Sequence, residues 1–205
     1  MSKHVPAIVC LLILTASGLQ SCKKDDQTTP EPEVTTAQVS NLVSDPALTG
    51  DHYAFYSLEK NDSIPYSDSA TSNWDIAFRS TTIIINGGTS GGAGGGAYVQ
   101  RAVSFDNFAT VPADSVFRTD DGATPAFAIP TGSGNGWYNY DFTTNVISPI
   151  PGNILVIRTA SGKYAKVEIL SYYQGAPATP TSEDVPRYYT FRYVYQPNGS
   201  KNFNN

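Results

Sequence analysis

The chain is predicted to be all-β, on three observations. Apolar and polar residues alternate in short blocks, and almost every block is built from β-branched or aromatic residues, which suit a pleated, half-buried surface. Clusters of Gly, Pro, Asn and Ser separate the blocks, as at Pro130–Gly136 and Pro149–Asn153. No window longer than about ten residues keeps a helical period. The expectation is a single domain over residues 45–205, made of mostly antiparallel strands with one or two short helices.

Ahead of that domain the pattern is different. Lys3, an apolar run over Val5–Thr15, and then Ser17, Gly18 and Ser21 before Cys22 have the layout of a signal peptide. The run is shorter than the roughly 20 residues a membrane-spanning helix needs, so residues 1–21 are expected to be a cleaved leader. Leu19–Cys22, LQSC, resembles a lipoprotein signal-peptidase site, which makes Cys22 the expected lipidated N-terminus. Cys10 lies within the leader, so after cleavage Cys22 has no second cysteine to pair with. The charges Lys23, Lys24, Asp25 and Asp26 resemble the surface-export signal of lipoproteins in one group of Gram-negative bacteria. The expected location is therefore the cell surface, on an outer membrane, through the lipid anchor. Residues 27–44 are mostly Thr, Pro, Glu, Gln and Ser, too poor in large apolar groups to offset the entropy of ordering, so 22–44 read as a flexible stalk.

The strands of the domain follow in order. Tyr53–Leu58 opens it. In Trp74–Arg79 the large apolar residues Trp74, Ile76 and Phe78 alternate with Asp75, Ala77 and Arg79, the period of a strand with one buried face. Ile83, Ile84 and Ile85 break the alternation and suit a strand covered on both faces, with a bulge or bend over residues 79–82. The glycine-rich residues 87–96 read as structural slack or a mobile lid. Ala97–Phe105 is the next strand, followed by a short helix at Asp114–Arg118 or Asp106–Ala109, where Asp can cap. Gly136–Asp141 and Val146–Ile150 follow. Ile154–Arg158 and Tyr164–Tyr172 form the clearest hairpin, its turn supplied by Ser161-Gly162. Arg187–Gln196 completes the set, with Tyr189, Phe191, Tyr193 and Tyr195 on one face, and is expected to pair with that hairpin.

Composition limits the chemistry. A formal net charge of −5 gives no basic face for nucleic acid. Once the leader is removed, His52 is the only histidine and Met1 is gone, so no Ser-His-Asp, Cys-His or HExxH arrangement can be assembled. Carboxylate pairs are the remaining route: Asp120 and Asp121, read as turn formers with weak calcium binding as an alternative, and Asp75 and Glu168 on strands, whose spacing favours no glycosidase pair. Gly92, Gly94 and Ala97 match GxGxxA by letter, but a strand follows and not a helix, so no phosphate site is implied. The chain is read as a non-enzymatic protein rich in tyrosine, of which it has 13.

Several runs resemble one family. The W-D-I-A-F of Trp74–Phe78, the N-G-G of Asn86–Gly88, GWYNY at Gly136–Tyr140 and ILVIRTASGKYAKVEILSYY at Ile154–Tyr173 are similar in order and spacing to the HmuY family of bacterial haem-binding surface lipoproteins. The resemblance covers about Tyr53–Tyr195 and implies an all-β domain, haem or a porphyrin as cofactor, and an outer-membrane receptor as partner. In the best-known members two histidines hold the iron, and others use methionine. One position corresponds to the loop Arg118–Pro125, which here offers Arg118, Asp120, Asp121 and threonines; the other falls at Phe142. Both usual axial ligands are absent. Tyr138, Tyr140 and Phe142 share one side of their strand by period two, so they are the expected ligand-binding face, with Tyr140 as the conceivable haem ligand through its phenolate. The alternative is an adhesion module that binds glycan or protein through exposed Tyr and Trp.

Overall fold

A computed structural model describes Met1 and residues 32–45, 52–122 and 126–204. The predicted leader, Cys22 and the first part of the predicted stalk lie outside the described residues. Among the described residues eleven strands form three sheets. They are β1 (Thr35–Val43), β2 (Ala54–Ser57), β3 (Asp62–Ile64), β4 (Ile76–Arg79), β5 (Thr82–Ile85), β6 (Gly96–Gln100), β7 (Tyr138–Asp141), β8 (Val146–Pro149), β9 (Ile154–Arg158), β10 (Tyr164–Tyr173) and β11 (Pro186–Gln196). The larger sheet has the order β1-β11-β10-β9-β6, the smaller β3-β2-β4-β5, and β7 and β8 pair on their own. Every pairing between named strands is antiparallel. Among the described residues helix is limited to two 3-10 turns, Tyr66–Asp68 and the expected one at Asp114–Val116.

The expected hairpin is β9–β10. Gly162 supplies a φ of +76°, and the Thr159 N–H donates to the Lys163 carbonyl at 2.8 Å to close the turn. β11 pairs along β10 as expected and places Tyr189, Phe191, Tyr193 and Tyr195 in the core. They meet Tyr56, Ile76, Phe78, Ile83 and Ile85 of the smaller sheet, so the main core lies between the two sheets. Two further apolar layers cover the outer faces. Phe105, Phe108 and Phe203 fold over Val156 and Val194 of the larger sheet, while Trp74 covers Phe55, Ala77 and Ile84 of the smaller one.

That double cover explains the isoleucine triplet: Ile83 and Ile85 face the main core and Ile84 the outer layer. The expected bulge before it is instead a tight hairpin, with Arg79 opposite Thr82 and Ser80 at a φ of +48°. Trp74 precedes β4 and packs in the outer layer, not beside Ile76 and Phe78. The alternation that put all three on one face holds only inside the paired strand.

The stalk needs correction. Residues 35–43 are β1, an edge strand of the larger sheet paired to β11 from Thr35↔Tyr195 to Val43↔Tyr188. Ser44 and Asp45 are buried; the Ser44 N–H donates to the Arg187 carbonyl at 2.8 Å, and Asp45 pairs with Arg187 at 3.6 Å. Backbone hydrogen bonds to a ready-made edge order a segment whose own side chains bury little.

Candidate functional site

The face expected to bind ligand is the β7–β8 hairpin, and only part of it stands free. Tyr138 is buried against Trp137, ring centroids 5.0 Å apart, and both belong to the main core. Trp137 is fixed there by its indole N–H, which donates to the Thr81 carbonyl at 2.9 Å. Tyr140 is half-buried; its hydroxyl donates to Asn145 Oδ1 at 2.6 Å, and its N–H donates to Ser133 Oγ at 2.8 Å. Phe142 is 82% exposed and meets the Tyr140 ring edge-on at 4.9 Å. The three side chains therefore do not share one cleft. β7 ends at Asp141, whose Oδ1 accepts the Thr143 N–H at 2.8 Å, so Phe142 sits in the turn where period two no longer applies. That bond also holds the Asp141 carboxyl below its ordinary range.

An open cleft of about 500 Å³ lies elsewhere, on the outer side of the smaller sheet. Tyr53, Phe55 and Ile84 form its apolar wall, and Gly88–Gly92 with Ser69 and Ala70 its rim. Burial raises the Tyr53 phenol, and the Arg79 guanidinium stacks on its ring at 4.4 Å. A narrower groove runs between Ile147–Pro149 and Leu170–Tyr173.

The glycine loop beside the larger cleft is not slack. Buried Asn86 anchors it: its Nδ2 donates to the carbonyls of Thr71 and Trp74, both at 2.9 Å, and its Oδ1 accepts the Ala93 N–H at 3.3 Å. A Cβ at Gly91 would fall 2.1 Å from Asn86 Oδ1, and one at Gly88, which has a φ of +65°, 2.0 Å from the Asp120 carbonyl oxygen. Both glycines are required by close approach, so the loop is a fitted wall.

Asp120 is the second anchor, which corrects its reading as a turn former or calcium ligand. It is buried, and its two carboxylate oxygens accept the N–H groups of Ile85 at 3.0 Å and Ala128 at 2.8 Å. Burial raises its carboxyl, and these bonds offset part of that. Its neighbour Asp121 is exposed and bridges to Ala126. Asp75 works in the same way, accepting the N–H groups of Leu58 at 2.9 Å and Ala160 at 3.0 Å, and burial raises it too. Glu168 is paired with Arg192 at 2.7 Å. His52 lies just before β2, half-buried and stacked on Tyr66 at 4.1 Å. Among the described residues no group of three or more His, Cys, Asp or Glu side chains comes together to hold a metal. Sequence reasoning missed Asn86 and Asp120 as anchors because their partners are backbone groups set by tertiary contact.

These features define a class: a β-protein of two packed sheets and a separate hairpin, with buried carboxylates committed to its own backbone and with aromatic side chains at its surface features. The chain belongs to the HmuY family, whose model, described as HmuY protein, matches residues 50–193. No curated protein matches it. Among solved structures it is similar to an apo HmuY analog (TFO) from Tannerella forsythia, with a TM-score of 0.53, 14% identity and coverage of 82% of this chain and 100% of that one. A proposed lipoprotein from Bacteroides fragilis gives 0.50 at 17% identity, covering 80% and 93%. A proposed HmuY-like heme binding protein from Bacteroides vulgatus gives 0.50 at 17% identity, covering 80% and 92%. At these identities the likeness is one of fold.

Proposed function

We propose that this chain is a non-enzymatic, surface-anchored lipoprotein that captures a flat hydrophobic or porphyrin-like molecule on the aromatic edge of its β7–β8 hairpin. The observation that carries this reading is Phe142: a large apolar side chain, 82% exposed, backed edge-on by Tyr140, at the position where the family resemblance puts an axial ligand. Family membership and the heme-binding description of the Bacteroides vulgatus relative supply the ligand class. The residues present do not fit the usual haem iron site, because Phe142 has no donor atom and the Tyr140 hydroxyl is already committed to Asn145. Affinity then rests on apolar contact with the ring. Anchoring through lipidated Cys22 would hold this edge outside the outer membrane, where a receptor can take the ligand over.

Absorbance titration with haem tests the ligand. The expected result is weak binding with a high-spin spectrum, lost in Phe142→Ala and altered in Tyr140→Phe. A low-spin six-coordinate spectrum would sink the reading. Mass spectrometry of membrane-extracted protein should show acyl chains on Cys22, and a Cys22→Ser variant that still fractionates with the membrane would overturn the anchor.

A further inference from the structure

Among the described residues the three sheets have six edges, and five of them are covered or blunted. At β6 the edge is taken by Arg118, whose N–H donates to the Ala97 carbonyl at 3.0 Å and whose carbonyl accepts the Ala97 N–H at 2.9 Å. At β5 the Ile85 N–H goes to Asp120, and Gly87 bridges Gly94. The Tyr140 N–H of β7 donates to Ser133 Oγ, and the Ile147 N–H of β8 to the Tyr173 hydroxyl at 2.9 Å. β3 has three residues, opens on Asp62 and is followed by Pro65. Cover, charge, shortness and proline all keep a sheet edge from pairing with another chain.

β1 is the exception. It runs for nine residues without a charge or a proline and pairs with β11 alone. Among the described residues no strand or bridge lies along its other side. A bulge turns the edge aside after Val39, where Ser40 and Asn41 stand opposite Thr190 and Asn41 has a φ of +58°. The flat part is therefore Thr35–Val39, whose inward residues Ala37 and Val39 pack on the main core but stay half-buried.

Those five residues select the occupant. Laid antiparallel to its own copy about Ala37, the run sets Thr35 against Val39 and Thr36 against Gln38, with no charge on either strand and two β-branched pairs on the inward face. Glu33, the nearest charge before β1, falls opposite the bulge of the copy and not opposite its own counterpart. β1 is already ordered on β11, so pairing costs little further backbone entropy. Five residues a side bury less than the roughly 1,200 Å² of a stable interface, which makes the contact a weak one.

We propose that β1 is a self-association edge, along which two copies of this chain pair antiparallel over Thr35–Val39 and join their larger sheets into one. This contact is separate from the β7–β8 edge and depends neither on ligand capture nor on the lipid anchor.

Sedimentation of the whole chain from about 10 to 500 µM tests the association, and cysteine pairing tests the register. The expected result is a reversible dimer with a Kd on the order of 100 µM. Thr36→Glu/Gln38→Glu sets like charges opposite each other twice across the axis and should weaken the dimer about tenfold or more, with the thermal midpoint unchanged. Ala37→Cys should give a disulfide-linked dimer on mild oxidation, because the paired Cα atoms stand about 4.5–5.5 Å apart. Thr35→Cys should not exceed the wild-type chain, which keeps Cys22, because its two copies lie about 14 Å apart along the strands. If the double variant lowers the midpoint, the two cysteine variants decide alone. A chain that stays monomeric to about 500 µM overturns the proposal. So does a dimer undiminished in the folded double variant, or cross-linking of Thr35→Cys as readily as of Ala37→Cys.

Discussion

Two aromatic regions of the molecule share their residue types and differ in everything else. Between the sheets, Phe78 stacks on Phe191 at 5.3 Å and leans on Tyr189 at 4.7 Å. The hydroxyls are satisfied as well, with Tyr189 donating to the Ser80 carbonyl at 2.8 Å and Tyr193 lying 3.0 Å from the Leu58 carbonyl. At the β7–β8 hairpin, Tyr140 packs only partly against the main core and bonds Asn145, and Phe142 meets it edge-on while standing 82% exposed. The larger sheet buries aromatics because a second sheet and an outer layer cover it, whereas Phe142, in the turn after a two-stranded sheet, is left 82% exposed. An aromatic run on a strand is thus core or contact surface according to what packs against it.

Alkaline pH should give the largest effect on this contrast. Burial pushes the phenols of Tyr56 and Tyr195 up to about 12. Their neutral forms are favoured by the fold, so their contribution to stability is complete below the ordinary phenol value of 10.0 and is lost as pH rises through about 12. Near-ultraviolet circular dichroism should collapse together with deprotonation of these phenols, followed by absorbance. If they ionise near 10 while the dichroism holds, water reaches the interior layer and the contrast fails.

Removing a ring from the interior should come next. Phe78→Ala is expected to lower stability by about 3–5 kcal/mol, read from denaturant midpoints. A change below about 1 kcal/mol would mean that the layer collapses around the cavity and is less rigid than its contacts imply.

A smaller effect is expected at the anchor of the glycine loop. Asp120→Asn leaves one buried N–H facing a donor, at a cost of about 1–3 kcal/mol. It should also flatten the pH dependence. Because burial raises the folded carboxyl above its ordinary 3.8, the native state holds its proton longer than the unfolded chain does. Its contribution is complete below about 3.8 and declines as pH rises through the higher folded value. Thermal midpoints across that range should fall less with rising pH in the variant than in wild type; an identical slope would show that Asp120 is not buried as described.

Phe142→Ala should be nearly silent for stability, within about 0.5 kcal/mol, while removing the apolar contact proposed for the ligand. A loss near that of Phe78→Ala would show that the hairpin tip is packed and not free.

Much of this molecule was legible in its residues. The all-β class, the β9–β10 hairpin with Gly162 in its turn, the pairing of β11 beside it and the inward face of Tyr189, Phe191, Tyr193 and Tyr195 all follow from local period and turn chemistry, which need no knowledge of distant contacts. Tertiary structure decided the rest. β1 exists because β11 offers an edge; Thr35–Val43 alone carries too little apolar surface to announce a strand. Tyr138 went to the core and Phe142 to solvent because β7 stops at Asp141, one residue before the alternation could place Phe142. The glycine loop became a fitted wall, and not slack, because Asn86 and Asp120 reach backbone groups brought near by the fold. A glycine in a sequence records freedom; only its neighbours in space determine whether that freedom is used for close approach to the chain itself, as at Gly88 and Gly91, or left open, as at Gly92.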